Sequence, residues 1–374
     1  MILGLTPARD HSESSFTWLK ATRHRVEYTK NFPLTSYFAQ QNDCMKDTNS
    51  TKYLNIAAII VQYNTWKDTI NCIESILSCD DQPRWIIIVD NNSTNDAAQN
   101  IFNWAHGRVN VRSCPVINYA TPEFPLQIQE ISWVKGCFHA TPQTQLILVH
   151  MPHNGGYASG NNAGLKLGLE WGAEAFLILN NDTIVTKKAI GALYSRLTEC
   201  ARPGLCGALL RYCHDALPIQ CCAGGVTNWW THLSSFTGNG LTLEQARNLP
   251  RELVEGNINF ICGACVMVSR KFVETVGFMD EGYFLYCEEQ DWACRSKKEF
   301  DLAYAPEALV YHREGATTGW NGNTFRIKSL LLLTRSRIRC TYLHHPWMLP
   351  TVIAGIGFAT TRLLLKKLVA KLLK

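Results

Sequence analysis

After Glu314 the chain has no acidic residue, although Arg326, Lys328, Arg335, Arg337, Arg339, Arg362, Lys366, Lys367, Lys371 and Lys374 all follow it. It also has no apolar run of the roughly 20 residues a membrane-spanning helix requires. Its uncharged stretch, 347–361, is shorter and is interrupted by Pro350, Gly355 and Gly357. Residues 1–30 contain no apolar h-region followed by a small-residue cleavage site, so no secretory signal is read. The fifteen cysteines are therefore expected to be reduced, cytosolic thiols. Cys262-Gly-Ala-Cys265 has no second pair at zinc spacing and lies in an apolar run, which favours buried thiols over a metal site. The glycines at 155, 156 and 160 do not reproduce GxGxxG, which weighs against a dinucleotide fold. Internal repeats and low-complexity tracts are absent.

What is present suits a globular protein: 374 residues, 46% apolar and 18% charged, enough for one large core or two ordinary ones. The net charge of +5 is smaller than the excess carried by the tail alone. Arg362-Leu-Leu-Leu-Lys-Lys-Leu-Val-Ala-Lys-Leu-Leu-Lys374 alternates leucine and lysine clusters, which suits a helix lying in the headgroup layer of an anionic membrane. The competing reading is a C-terminal helix packed on the body with its lysines in water. His344 and His345 read as surface residues.

Residues 1–53 lack sustained periodicity and are treated as an N-terminal extension. From residue 54 apolar runs alternate with helical periodicity. Strands are expected over 55–61 and 85–89, each followed by a helix, then at 146–149, 176–179 and 260–268. Strand, helix, strand, helix predicts a largely parallel α/β sheet. Pro115, Pro122, Pro125 and Pro142 break the rhythm over 106–145, which is either an insertion over one face or an irregular edge strand. Residues 220–240 suggest loops or a hairpin, and 280–295 a further helix. The glycine- and amide-rich stretch Asn154-Gly-Gly-Tyr-Ala-Ser-Gly-Asn-Asn-Ala-Gly164 reads as a loop of little side-chain bulk before a helix.

Carboxylates recur where strands end or helices begin. Asp90 and Asp182 close apolar strands, and in an open α/β sheet those ends share one crevice. There Asp90 could accept a hydrogen bond from a pyrimidine ring N–H, with Asn64 or Asn92 beside base or ribose; a helix cap or turn role fits Asp-Asn-Asn-Ser equally well. Asp182 with a diphosphate is a normal arrangement for Mg2+ or Mn2+, and His312 could add an imidazole that favours Mn2+. Alone, His312 is more simply a satisfied, partly buried histidine. Glu288 and Glu289 point about 100° apart on a helix, so one can face a reacting hydroxyl as a general base. The plainer explanation is an acidic first helical turn favoured by the dipole.

Taken in order, Ile59-Ile-Val-Gln-Tyr-Asn64, Ile88-Val-Asp-Asn-Asn-Ser93, the 154–164 stretch, Leu179-Asn-Asn-Asp-Thr183, Gly263-Ala264, Phe284-Leu-Tyr-Cys-Glu-Glu-Gln-Asp291 through Arg295, and Val310-Tyr-His312 resemble glycosyltransferase family 2. Within it they are similar to the rhamnosyltransferase-like bacterial branch, and Arg335-Ser-Arg337 resembles that branch's Arg-Asn-Arg. The resemblance implies a GT-A fold, a Rossmann-like, mostly parallel sheet flanked by helices, over 54–320. A helical basic tail would occupy 321–374. It further implies an inverting enzyme moving a sugar, with rhamnose from dTDP-rhamnose first and UDP-hexoses or UDP-N-acetylhexosamines behind. The acceptor would be a hydroxyl of a glycan or lipid-linked oligosaccharide in cell-surface polysaccharide synthesis.

By position the resemblance places Asp182 and His312 on the Mg2+ or Mn2+ ion and Glu289, preceded by Glu288, at the catalytic base. Tyr63, Asn64, Asp90, Asn92, Gly156, Asn162, Asn181 and Arg295 fall on the donor side, and Gly263 and Ala264 on the acceptor side. Two departures stand out: Glu289 replaces the common Asp, and Asn180-Asn181-Asp182 lacks the first carboxylate of a DxD element. Partners are expected to be the nucleotide sugar, the acceptor and an anionic membrane surface met by the tail, with no nucleic acid. The location expected is cytoplasmic, peripheral on the inner membrane face. The competing classes are a non-catalytic nucleotide-sugar-binding subunit and an NAD-dependent dehydrogenase.

Overall fold

The runs of Ile, Val and Leu near residues 56, 86, 147 and 177 become adjacent central strands because each is apolar on both faces. The computed structural model describes residues 53–111, 117–137, 139–213, 218–296, 299–313 and 327–358. Its strands are β1 Tyr53–Gln62, β2 Gln82–Asp90, β3 Ile128–Ser132, β4 Leu146–His150, β5 Ala175–Asn180, β6 Thr183–Val185, β7 Pro203–Tyr212, β8 Ile219–Cys222, β9 Gly224–Asn228, β10 Leu233–Phe236, β11 Phe260–Ile261, β12 Cys265–Ser269 and β13 Asp301–His312. The helices are α1 Trp66–Leu77, α2 Ala97–Ala105, α3 Gly156–Glu170, α4 Ala189–Glu199, α5 Leu243–Arg247, α6 Arg251–Gly256, α7 Arg270–Val276, α8 Glu288–Ser296 and α9 Ile327–His344.

The main sheet runs β3-β4-β2-β1-β5-β12-β7-β13-β6, with β8 on β7. From β3 to β5 every pairing is parallel. Antiparallel β12 then separates β5 from β7, and β6 closes the far edge antiparallel to β13. A small sheet, β10-β9-β11, lies beside it. Alternate residues of β1 serve two cores: Ala57 and Ile59 join the cluster with Ile87, Val149 and Trp292, while Ile56, Ala58 and Ile60 join Ile70, Ile73 and Trp104.

Of the two readings of 106–145, the edge strand is the one seen: the segment supplies β3, parallel to β4. Other sequence expectations change in detail. The run 260–268 is two strands, β11 and β12, broken around Gly263 and paired into different sheets. The helix expected from 280 begins at Glu288. Most of the supposed loop 154–164 is the first half of α3. Its glycines serve packing: a Cβ on Gly160, Gly164 or Gly168 would strike Val61, Ile59 or Ala57 in turn, so the helix backbone lies directly on β1. At its start, Gly156 has φ +86° and abuts the Phe284 carbonyl, a place no side chain could occupy.

Gly164→Ala tests this close packing. Alanine normally stabilises a helix interior by about 1 kcal/mol over glycine, but here its methyl would lie 2.5 Å from Cγ2 of the buried, branched Ile59. Overpacking of about 1–3 kcal/mol should outweigh the propensity gain and lower stability. A urea unfolding midpoint at or above that of the parent would contradict the account.

Candidate functional site

The C-terminal ends of β1, β2 and β5 fall in register along one edge: Gln62 is opposite Asp90, and Val61 opposite Asn180. Beyond β5 the chain turns through Asn181 and Asp182 into β6, whose pairing with β13 sets Thr183 opposite His312. That ladder brings His312 Nε2 to 3.2 Å from the Asp182 carboxylate, with both side chains buried. His312 Nδ1 lies 2.9 Å from the Gln220 side-chain oxygen. Because that oxygen only accepts, Nδ1 carries the hydrogen and Nε2 is the nitrogen turned to Asp182.

Burial alone would raise the Asp182 pKa, but the His312 charge and hydrogen bond, a backbone hydrogen bond and Arg313 hold it below the ordinary carboxylate range. Arg313 in turn pairs with Asp68 of α1 at 2.8 Å. Asp68 shifts upward, first through burial, opposed by Arg313 and reinforced by Asp182. Among the described residues, no group of three or more His, Cys, Asp or Glu side chains could hold a metal ion. A carboxylate and an imidazole whose second nitrogen is pinned by a side-chain oxygen nonetheless fit a Mg2+ or Mn2+ ion that takes its other ligands from water and a diphosphate.

A second corner forms where α8 begins. Tyr286 and Cys287 are both left-handed, at φ +74° and +68°, a conformation that costs non-glycine residues roughly 1–2 kcal/mol each. They turn the chain so that α8 opens on Glu288 and Glu289. Glu288 is buried, with one carboxylate oxygen lacking a hydrogen-bond partner among the described residues. Burial, and next the charge of Glu289, hold its pKa well above the usual range. Glu289 is also raised by burial, but backbone hydrogen bonds at Glu289 and Gly263 oppose the shift. A Cβ at Gly263 would overlap the Glu289 carboxylate, so the glycine makes room for it. Tyr157, early in α3, donates its hydroxyl to the Gly263 carbonyl at 2.7 Å.

The two corners touch through the backbone: Asn180 N–H donates to the Ala264 carbonyl at 3.0 Å. Cys262, between β11 and Gly263, lies within electrostatic reach of both His312 and Glu289. A cavity of about 370 Å³ lined by Arg202, Glu255, Phe300 and Asp301 lies instead at the opposite ends of β7 and β13. It holds none of these groups.

The remaining sequence candidates divide. Asp90 is buried at the edge, where Gln62 and Ser93 donate to it. The cap of α2 is Asp96, so the helix-cap reading of Asp90 falls and the turn reading stands beside the base-binding one. Asn64 and Asn92 both take left-handed conformations in the loops beyond β1 and β2. Asn64 holds Thr94 N–H at 2.8 Å, and Tyr63 precedes it. Other candidates act as clamps. Asn181 donates to Thr65 and Thr69 hydroxyls at 2.6 and 2.9 Å, fastening the turn before Asp182 to Thr65 and α1. Asn162 binds Met279 on both its amide atoms, and Glu281 as well. Arg295 bridges Asp291 and the carbonyls of Val276 and Phe278.

Gln220, Tyr157 and the His344–Asp291 contact were not singled out from sequence. Each acts across a tertiary contact with no local motif. His344, expected at the surface, is a correction: its Nε2 lies 2.7 Å from buried Asp291 and ties α9 to α8. The CxxC pair is buried, and the described cysteines are free thiols.

No protein-family model matches the chain. Over 151 residues it is 26% identical to the low-salt glycan biosynthesis hexosyltransferase Agl10 of Haloferax volcanii, a match covering 39% of this chain and 44% of that protein. The crystal structure of GalNAc-T7 with UDP, GalNAc and Mn2+ aligns with a TM-score of 0.51 at 14% identity, over 77% of this chain and 47% of that one. The mannosyltransferase PcManGT of Pyrobaculum calidifontis, in complex with GDP-Man and Mn2+, aligns at 0.46 and 15% identity, over 87% and 82%. The matches thus span less than half the length of Agl10 and of GalNAc-T7. The fold is GT-A: a large, mostly parallel central sheet flanked by helices.

Asp291 makes a pH prediction. Burial would raise its pKa, but hydrogen bonds and charge from His344 and Arg295 bring the net shift below the usual value. A depressed folded pKa contributes stability above the unfolded carboxylate pKa of about 3.9 and loses it as pH falls through the folded value. Asp291→Asn should therefore cost about 3–5 kcal/mol at pH 7, and the gap to the parent should narrow below about pH 4. Urea unfolding at several pH values checks this; a gap independent of pH would contradict it.

Proposed function

We propose that the chain is a glycosyltransferase that moves a hexose from a nucleoside-diphosphate sugar to an acceptor hydroxyl by a single inverting displacement. The carrying observation is that Asp182 meets His312 beyond the C-terminal end of β5, and that the Asn180–Ala264 hydrogen bond ties this turn to the Gly263 loop against which Glu289 lies. Glu289 is the base in this reading. It is only partly buried, whereas Glu288 is enclosed and its protonated form is favoured. Glu289 takes the proton of the acceptor hydroxyl as its oxygen bonds to the anomeric carbon from the face opposite the departing diphosphate. Its raised pKa makes it a stronger base than an exposed glutamate. Asp182 and His312 would hold Mg2+ or Mn2+, which when bound supplies positive charge against the departing diphosphate.

In this reading Asp90 would face the base of the nucleotide, with Asn64 and Asn92 beside it. Asn181, Asn162 and Arg295 contribute by holding the loops around the crevice. The donor to test first is dTDP-rhamnose, from the resemblance of the motifs, followed by UDP-hexoses and UDP-N-acetylhexosamines. The acceptor proposed is a glycan or lipid-linked oligosaccharide, with peripheral attachment to the cytoplasmic membrane face through the basic tail. Among the described residues no helix is long and apolar enough to cross a membrane. Within the described part of the tail, 327–358, α9 packs on the body through Ser336; the leucine–lysine segment 362–374 lies outside the described residues. The boundaries 1–53, 54–320 and 321–374 stand as the proposed organisation. A non-catalytic nucleotide-sugar-binding subunit is favoured only by the single carboxylate in Asn180-Asn181-Asp182.

Turnover measured as nucleoside-diphosphate release from the accepted donor tests these roles. Asp182→Ala should abolish it in a protein that still unfolds cooperatively; full turnover would refute the metal assignment. Glu289→Gln should lower kcat by about 100-fold or more, on the scale of general-base catalysis, with donor affinity preserved. If Glu288→Gln is the crippled variant, the base is one residue earlier, and a parent that binds donor without turnover is a binding subunit.

A further inference from the structure

Gly263 makes room for Glu289 but leaves the backbone around it permissive. A Cβ at 263 would overlap the Glu289 carboxylate, and a residue without one turns freely about both its soft dihedrals. Sheet pairing does not restrain the turn: β11 ends at Ile261, β12 begins at Cys265, and the two strands belong to different sheets. Residues 262–264 are held from outside instead. Cys262 N–H donates to the Ala223 carbonyl and Asn180 N–H to the Ala264 carbonyl, both at 3.0 Å. Between these two ties, the Gly263 carbonyl takes the Tyr157 hydroxyl at 2.7 Å.

Tyr157 is itself clamped at both ends. Its N–H donates to the Phe284 carbonyl at 2.9 Å, two residues before the left-handed Tyr286-Cys287 turn that starts α8. Asn161, fully buried one helical turn on, donates its amide to the Tyr157 carbonyl at 3.0 Å and reaches the phenol oxygen as well. Because the amide only donates, the phenol hydrogen is left for the Gly263 carbonyl. One side chain thus joins the segment that leads into Glu289 to the turn against which the Glu289 carboxylate lies. The gain is rigidity exactly where the glycine removed it.

Building on the reading of Glu289 as the base, we propose that Tyr157 is a positioning residue of the transfer reaction: its hydroxyl fixes the Gly263–Ala264 peptide and, through it, the Gly263 N–H that faces the Glu289 carboxylate. That N–H and the N–H of Glu289 itself oppose the upward pull of burial on the carboxyl, so a loosened turn lets its pKa rise. The titratable groups around Glu289 are Glu288 and Cys287 beside it, Tyr157 on α3, and Cys262 before Gly263. Burial first holds Glu288, Cys287 and Tyr157 above their ordinary values, whereas Cys262 is drawn down, chiefly by its hydrogen bond with Cys221. Tyr157 is therefore neutral at pH 7, and replacing it by phenylalanine removes a hydrogen bond without removing a charge.

Carbon-13 NMR of the full chain labelled at its glutamate carboxyls reads this directly, with the Glu289 resonance assigned by its loss in Glu289→Gln. Tyr157→Phe should raise the Glu289 pKa by about one unit. In turnover the same variant should lower kcat about tenfold with donor KM unchanged, and the acid limb of its pH profile should move to higher pH by the same amount as the carboxyl. Urea unfolding checks that the variant folds. Should it not, Asn161→Ser, which removes the amide at the phenol oxygen and keeps Tyr157, is read in the same way, with a smaller upward shift expected. A Glu289 pKa and pH profile that stay with the parent, even where stability falls, show a merely structural tyrosine and overturn the inference while leaving the transferase reading intact. A parent that turns over no donor contradicts the transferase reading, and the carboxyl titration alone then decides whether Tyr157 sets Glu289.

Discussion

A three-residue ladder between β6 and the end of β13 is what brings Asp182 and His312 together. Neither Asp182 nor His312 has a local reason to meet the other. The antiparallel pairing of Thr183, Ile184 and Val185 with His312, Tyr311 and Val310 sets them face to face. Two further contacts then determine what the pair can do: Gln220 selects the imidazole nitrogen turned to the carboxylate, and Asn181 fastens the turn to α1. A buried carboxylate beside an imidazole in this orientation favours a cation between or beside them. The Asp182–His312 contact therefore depends on the register of a very short edge strand.

The corner of Glu288 and Glu289 rests on a different constraint, the removal of side chains. Gly263 clears space for the Glu289 carboxylate, Gly156 lets α3 start against the Phe284 carbonyl, and Gly160, Gly164 and Gly168 bring α3 down onto β1. Closeness of that kind is what allows Tyr157, on α3, to reach the Gly263 carbonyl. The left-handed Tyr286 and Cys287 are retained because Ser336 and the His344–Asp291 contact brace the turn from α9. Helix α9 is thus part of the support of the Glu288 and Glu289 corner.

The sequence made the parallel half of the sheet legible, since runs such as 56–60 and 86–89 are apolar on both faces and a buried parallel strand needs that pattern. It also located the strand-end carboxylates, because strand ends and polar residues coincide there. It failed where a residue's role depends on distant partners. The 154–164 stretch read as a loop because glycine and asparagine are poor helix formers in isolation, whereas tertiary packing on β1 repays their low propensity. No motif announces that Asn162, Asn181 and Arg295 hold Met279, Thr65 and Val276. His344 looked solvent-facing because nothing in the basic tail announces the buried Asp291 on α8.

The most direct test of the central claim is a calorimetric titration of the full chain with a panel of dTDP- and UDP-sugars, first with Mn2+ or Mg2+ and then with EDTA. The account predicts that one donor binds saturably, that the divalent ion strengthens the binding, and that EDTA reverses the gain. Failure of every donor to bind with metal present, or binding indifferent to the ion, would contradict the assignment of Asp182 and His312 to a metal-assisted transferase crevice.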